Sequence, residues 1–163
     1  MVCFSAEARP NEEILMWTHY ADMHRGIRIG FDLPEKTPRF ILRKVRYRKS
    51  RVAVDLSVDG FEPSVQEAVR LSLRTKSKGW AYEREYRLMT NPERCVPGEG
   101  PDEGKLFIPF KREWVCRIDF GTRTEKETKA AIRELVRKKY PGVLITQALY
   151  HKTDYAMVYE PYR

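Results

Sequence analysis

The chain has 163 residues, enough for one domain with a sizeable hydrophobic core, and its 42% hydrophobic and 12% aromatic residues exclude a disordered or low-complexity chain. Lys and Arg number 31 against 23 Asp and Glu, a formal net charge of +8 with a pI near 9.5, which favours anionic partners such as nucleic acid or nucleotides. No apolar run approaches the roughly 20 residues of a membrane span and no signal peptide is visible, so a cytoplasmic protein without a membrane partner is expected.

The cysteines, Cys3, Cys95 and Cys116, are odd in number, far apart and form no Cys-x-x-Cys. That pattern argues against structural zinc and a disulfide framework, and each thiol is expected to fill core space as a small apolar residue.

In chain order, Met1–Ser5 reads as a strand. A helix follows, with Asn11 as N-cap, Glu12 and Glu13 at the positive dipole end, and Gly26 as the stop. At about 100° per residue, Ile14, Trp17, Ala21 and His24 share one side, with Tyr20 beside them and His19 toward the other flank. Trp17 is the expected core anchor. The two histidines are five residues apart, without the i, i+4 geometry of a helical zinc pair, so no metal site is assigned; no motif names a cofactor. His24, placed in the last helical turn, has two readings: an imidazolium favoured by the dipole and serving as proton donor or anion contact, or a ring packed beside Trp17 with one hydrogen bond.

Residues 27–33 alternate Ile27, Ile29, Phe31 and Leu33 with Arg28, Gly30 and Asp32, a strand whose polar face offers an Arg28–Asp32 pair. A second strand, Phe40–Arg48, lies in the most basic segment: from Arg39 to Arg51 there are Arg39, Arg43, Lys44, Arg46, Arg48, Lys49 and Arg51 and no acid, with Tyr47 interleaved. These are phosphate contacts beside a stacking ring, or charges that keep an edge strand from pairing with another chain. Residues 52–62 read as a loop or a short strand around Asp59-Gly60, and Pro63 opens a helix that carries Arg70, Arg74, Lys76 and Lys78 toward its end at Gly79.

Read as extended, residues 81–89 place Glu83, Glu85 and Arg87 on one face, with the two carboxylates about 7 Å apart. One acid of such a pair can have a raised pKa, suiting general acid/base chemistry, a divalent cation or ribose hydroxyls; the alternative is a salt-bridged polar face. A Pro- and Gly-rich loop over 91–104 leads to strands Lys105–Phe110 and Trp114–Phe120, a helix from Thr124 to Lys139, and a hairpin of strands Val143–Tyr150 and Ala156–Tyr162. The expected class is α+β, about three helices on a largely antiparallel or mixed sheet, in a single domain.

Cys3-Phe-Ser5, Ile14-Leu-Met-Trp17, His19-Tyr-Ala21, His24-x-Gly26-Ile27, Gly30-Phe-Asp32 and Trp80-x-Tyr-Glu83-x-Glu85-Tyr-Arg87 together resemble the prokaryotic domain-of-unknown-function 2971 family (DUF2971). The resemblance spans most of the chain. Its members usually carry a further segment ahead of the Cys-Phe-Ser strand, which implies that this chain is the C-terminal part of a longer family domain. Family membership implies no reaction, although Glu-x-Glu on a strand is similar to the carboxylate element of ADP-ribosyl transferases.

Two functional classes follow. One is an enzyme acting on a nucleotide or nucleic acid, with His19, His24, Glu83 and Glu85 as catalytic groups and Trp17, Tyr20, Arg28 and Arg87 binding substrate. The other is a non-catalytic protein that binds nucleic acid or a partner through Arg43, Lys44, Arg46 and Arg48. The first requires His24 within hydrogen-bond or one-water reach of Glu83 or Glu85.

Overall fold

The computed structural model describes residues 1–6, 9–51 and 61–162. Its elements in chain order are β1 (Val2–Ser5), α1 (Pro10–Tyr20), β2 (Ile27–Phe31), β3 (Ile41–Lys44), β4 (Arg46–Arg48), α2 (Phe61–Ser72), β5 (Thr75–Ser77), β6 (Glu85–Met89), β7 (Val96–Pro97), β8 (Leu106–Phe107), β9 (Val115–Phe120), α3 (Lys126–Lys139), β10 (Leu144–Tyr150) and β11 (Met157–Pro161). This is the α+β class, with mostly antiparallel pairing. No helix among the described residues is long and apolar enough to cross a membrane.

The chain divides into two compact units. The first comprises Met1–Ala8 and Glu35–Arg94. In it, β6 lies between β1 and β3, antiparallel to both, and β4 pairs with β5 in parallel. Phe40, Val45 and Leu88 are the buried apolar residues among those described in it.

The expected strand Phe40–Arg48 is interrupted at Val45, which is buried and whose amide donates to the Glu85 carbonyl at 2.9 Å. The helix expected to continue to Gly79 stops at Ser72, because the next residues pair with β4 and Arg74 accepts a hydrogen bond from the Arg46 amide at 2.7 Å. Pairing with a neighbouring strand overrides the local helix preference of the lysines. The loop or short strand expected over 52–62 lies outside the described residues up to position 60, and Phe61 already opens α2.

The second unit comprises Arg9–Pro34 and Cys95–Arg163 and is built on the sheet β11-β10-β9-β2. β9 and β10 are parallel, joined by α3, while both outer pairs are antiparallel. On one face Ile118 and Phe120 of β9 pack with Val136 and Ile132 of α3 and with Ile27 and Ile145. On the other, Trp17, Ile14 and Ala21 pack on Ala148, Met157 and Tyr159. The apolar side read for the first helix is therefore its packing face. Beyond it the short antiparallel pair β7–β8 stands where a strand Lys105–Phe110 was expected.

α1 begins two residues earlier than Asn11 predicts: Arg9 is the N-cap, because Pro10 fits the first helical position, and the Arg9 amide donates to Glu12 at 3.3 Å. Its end also differs. The helix stops at Tyr20, and Asp22, Met23 and His24 follow with φ of 45°, 50° and 70°, three left-handed residues in succession. Gly26 closes this turn rather than the helix, its amide donating to the Ala21 carbonyl at 2.8 Å. Gly121 makes room for it, since a Cβ there would lie 2.1 Å from the His24 carbonyl oxygen.

Candidate functional site

In the first unit, residues 78–83 form a 3-10 turn, and β6 starts only at Glu85. The expected continuous strand over 81–89 is broken at Arg84, which sits at φ 49°. Both flanking glutamates are buried, and both meet the same ammonium: Lys76 Nζ donates to Glu83 Oε2 and lies 3.3 Å from Glu85 Oε2. Arg87 Nε donates to Glu85 Oε1 at 2.7 Å, and its Nη1 donates to the Leu73 carbonyl at 2.6 Å. The Glu85 amide donates to the Tyr47 hydroxyl at 2.8 Å, and the Ser5 hydroxyl to the Glu83 carbonyl.

The two cations decide the electrostatics. Burial acts to raise the Glu85 pKa, but hydrogen bonds from Arg87 and Cys3 and the charges of Arg87 and Lys76 outweigh it and hold it at about 2. Glu85 is therefore ionised at neutral pH, not the proton donor that a carboxylate pair suggested. Lys76 is shifted the other way: desolvation opposes its charge, and Glu83 and Glu85 overcome this and raise its pKa. Cys3 stands opposite Arg87 across the β1–β6 pair. Its thiol is pushed up by burial and by Glu85, which removes thiolate character. Cys3 and Cys116 are exposed, contrary to the expected core role.

A second cluster lies in the second unit. Arg28 does not pair with Asp32; its Nη1 donates to Glu13 at 2.5 Å and its Nε to Asp119 at 2.7 Å. Asp119 is fully buried and also accepts from Arg117 Nε and the Thr146 hydroxyl. The register explains this convergence, since Arg28, Asp119 and Thr146 are successive cross-strand partners on one face of the sheet. Both guanidinium groups stand over the Tyr159 ring, 4.4 Å for Arg28 and 4.7 Å for Arg117, while Trp17 Nε1 donates to the Tyr159 hydroxyl at 3.0 Å. Burial raises the Tyr159 pKa, keeping that hydroxyl neutral.

His24 lies just beyond α1, not in its last turn, so the dipole argument does not apply to it. Its ring stacks on Trp17 at 6.3 Å with 15° between planes, and Nε2 lies 3.1 Å from the Thr18 hydroxyl. Nδ1 is buried without a hydrogen-bond partner among the described residues. Burial, then the charge of Arg123, lowers its pKa. The packed, hydrogen-bonded reading of His24 describes this environment. His19 is an exposed helix residue edge-on to Tyr20, whose ring is also exposed.

The residues singled out from the sequence thus fall in two places. Glu83, Glu85 and Arg87 gather in the first unit, whereas Trp17 and Arg28 gather in the second, with His24 beside Trp17. His24 belongs to the second unit and Glu83 and Glu85 to the first, and within its own unit His24 Nε2 meets the Thr18 hydroxyl. Arg43, Lys44, Arg46 and Arg48 are all exposed in the first unit.

Residues 16–88 match the family model described as a protein of unknown function, DUF2971. Over this stretch the chain is similar to the DUF2971 family. No curated protein and no solved structure matches the chain. The DUF2971 match covers Trp17, both helix-end histidines, the basic segment and the Trp80–Leu88 stretch; it is narrower than the resemblance read from Cys3 and from Val115 onward. It also leaves out Glu13, Arg117, Asp119 and Tyr159, which complete the Arg28 network.

Sequence reasoning missed those four and Lys76. One signal was present: Arg117 and Asp119 alternate with Ile118 and Phe120, placing two charges on a strand face inside an apolar segment. Lys76 carried no such signal, since its strand is three residues long.

Proposed function

We propose that the protein binds nucleic acid or nucleotides through the basic segment of its first unit, without using the glutamates and histidines as acid/base groups. The observation that supports this reading is a contrast in pairing. Arg43, Lys44, Arg46 and Arg48 are exposed and form no ion pair among the described residues, whereas the Glu83 and Glu85 carboxylates are tied to Lys76 and Arg87. Uncompensated cations attract polyanions, and counterion release supplies the affinity. β3 is an edge strand, so edge protection accounts for a charge or two there. It does not call for an acid-free run of seven cations from Arg39 to Arg51.

The reading in which His19, His24, Glu83 and Glu85 catalyse a reaction on a nucleotide has less support. Glu85 is held near pKa 2 and His24 Nε2 is engaged by Thr18.

Binding of mixed single- and double-stranded oligonucleotides, followed by fluorescence anisotropy at low and moderate ionic strength, tests the proposal. Affinity is expected to fall steeply with salt, and Arg43→Ala with Arg46→Ala to reduce the slope by roughly two. No binding at low salt, or a double variant indistinguishable from the parent, overturns it.

A further inference from the structure

The basic segment explains attraction to phosphates and leaves a neighbouring feature unused. Trp80 belongs to the 3-10 turn Lys78–Glu83 and is 40% exposed. Its indole is held in place: the Lys76 ammonium stands 5.0 Å from the ring centroid, and the Tyr82 ring lies beside it at 6.0 Å with a 37° tilt. Lys76 is in turn anchored by Glu83 and Glu85. Burying two carboxylates is costly unless each is compensated. Here the compensating group is the one that supports the indole. The network thus holds a half-exposed aromatic ring rigid, which is what a stacking surface needs to bind without a large loss of side-chain entropy.

Its position connects it with the cations. β4 and β5 pair so that Arg48 stands opposite Ser77, and the turn carrying Trp80 begins at the next residue and packs beside both strands. Tyr47, the ring that the sequence interleaves with the arginines, is half-buried with its hydroxyl accepting from the Glu85 amide. Trp80 is the more exposed ring.

We infer that the ligand of this unit is a single-stranded nucleic acid, with one base stacked on Trp80 and the adjoining phosphates on the β3–β4 cations. This rests on the anion-binding reading above. The face of a base is open to an aromatic side chain in an unpaired strand, whereas in a duplex it is covered by its neighbours. Several cations spread along a strand match a backbone with several phosphates better than a single mononucleotide. Glu83 and Glu85 are then positioning residues, acting through Lys76.

The experiment compares four probes on the full chain: an oligothymidylate, an abasic strand of the same length, the matching duplex and thymidine monophosphate as competitor, with an oligouridylate arm for RNA. The parent protein is expected to bind oligothymidylate roughly tenfold more tightly than the abasic strand, in line with the stacking of a base on an aromatic ring. Trp80→Ala should remove that margin and leave abasic binding and the salt slope unchanged, while Trp80→Phe keeps most of it. Equal affinity of the parent for the two strands, a margin that survives Trp80→Ala, a preference for duplex, or competition by the monophosphate at equal phosphate concentration overturns the inference. The strand comparison in the parent decides the matter even if Trp80→Ala fails to fold. Salt-dependent binding that ignores bases defeats this inference alone; no binding of any oligonucleotide defeats the anion-binding reading as well.

Discussion

Thr18 and His24 fix each other's proton positions. The Thr18 hydroxyl donates its single proton to the Ile14 carbonyl at 2.7 Å, so in the 3.1 Å contact with His24 the Nε2–H is the donor. Burial favours the neutral ring, and in that form Nδ1 presents its lone pair to a buried space that offers it no donor among the described residues.

A pH dependence follows. The pKa of His24 in the folded protein lies below its unfolded value, so the unfolded chain binds more protons through this group and stability rises with pH. The contribution is complete above about pH 6.5 and declines as pH falls below it toward the folded pKa. Urea unfolding at pH 7.5 and 5 should show a loss that His24→Asn diminishes. An identical pH slope in parent and variant refutes the assignment.

Glu85 gives the second pH window, with the opposite ionisation. Its folded pKa of about 2 lies below the ordinary carboxylate value of 4.5, so its contribution is present above about pH 4.5 and lost as pH falls toward 2. Acid unfolding followed by circular dichroism should be shallower for Glu85→Gln between those limits. If Gln leaves the acid limb unchanged, the Arg87 and Lys76 contacts contribute nothing to acid stability.

Trp17 is 3% exposed, stacks on His24 and donates to Tyr159. Truncation removes a large buried side chain and leaves a cavity as well as a half-buried hydroxyl with one partner fewer. Trp17→Ala should cost about 3–5 kcal/mol in chemical denaturation. A loss below about 0.5 kcal/mol is the behaviour of a surface residue and contradicts this packing.

Asp119 compensates both Arg28 and Arg117 from a fully buried position. Removing one partner of a buried ionic group leaves the others uncompensated, so Asp119→Ala should destabilise by about 3–5 kcal/mol. Arg28→Met with Glu13→Leu, which removes a cation and an anion together, is expected to cost less than Asp119→Ala. Denaturation midpoints of the two variants in the reverse order refute the network.

The sequence by itself determined what depends on local periodicity. The Ile14–Trp17–Ala21 face, the alternation Ile27–Ile29–Phe31, the third helix and the β10–β11 hairpin are set by spacing along the chain, and they specify the α+β class. The tertiary structure decided everything that depends on partners distant in sequence. Arg28 has Asp32 at i, i+4, yet the cross-strand register places Asp119 directly opposite it and Glu13 within its reach. Glu83 and Glu85 alternate as in a strand, but a left-handed Arg84 lies between them and both meet Lys76, whose own segment joins β4 instead of extending a helix. His24 follows helical spacing on paper, while three left-handed residues carry the chain out of the helix and dock it against Gly121. In each case a hydrogen-bonded or charged partner from another element outweighs a local preference worth at most about 1 kcal/mol per residue, and spacing along the chain does not encode which partner that is.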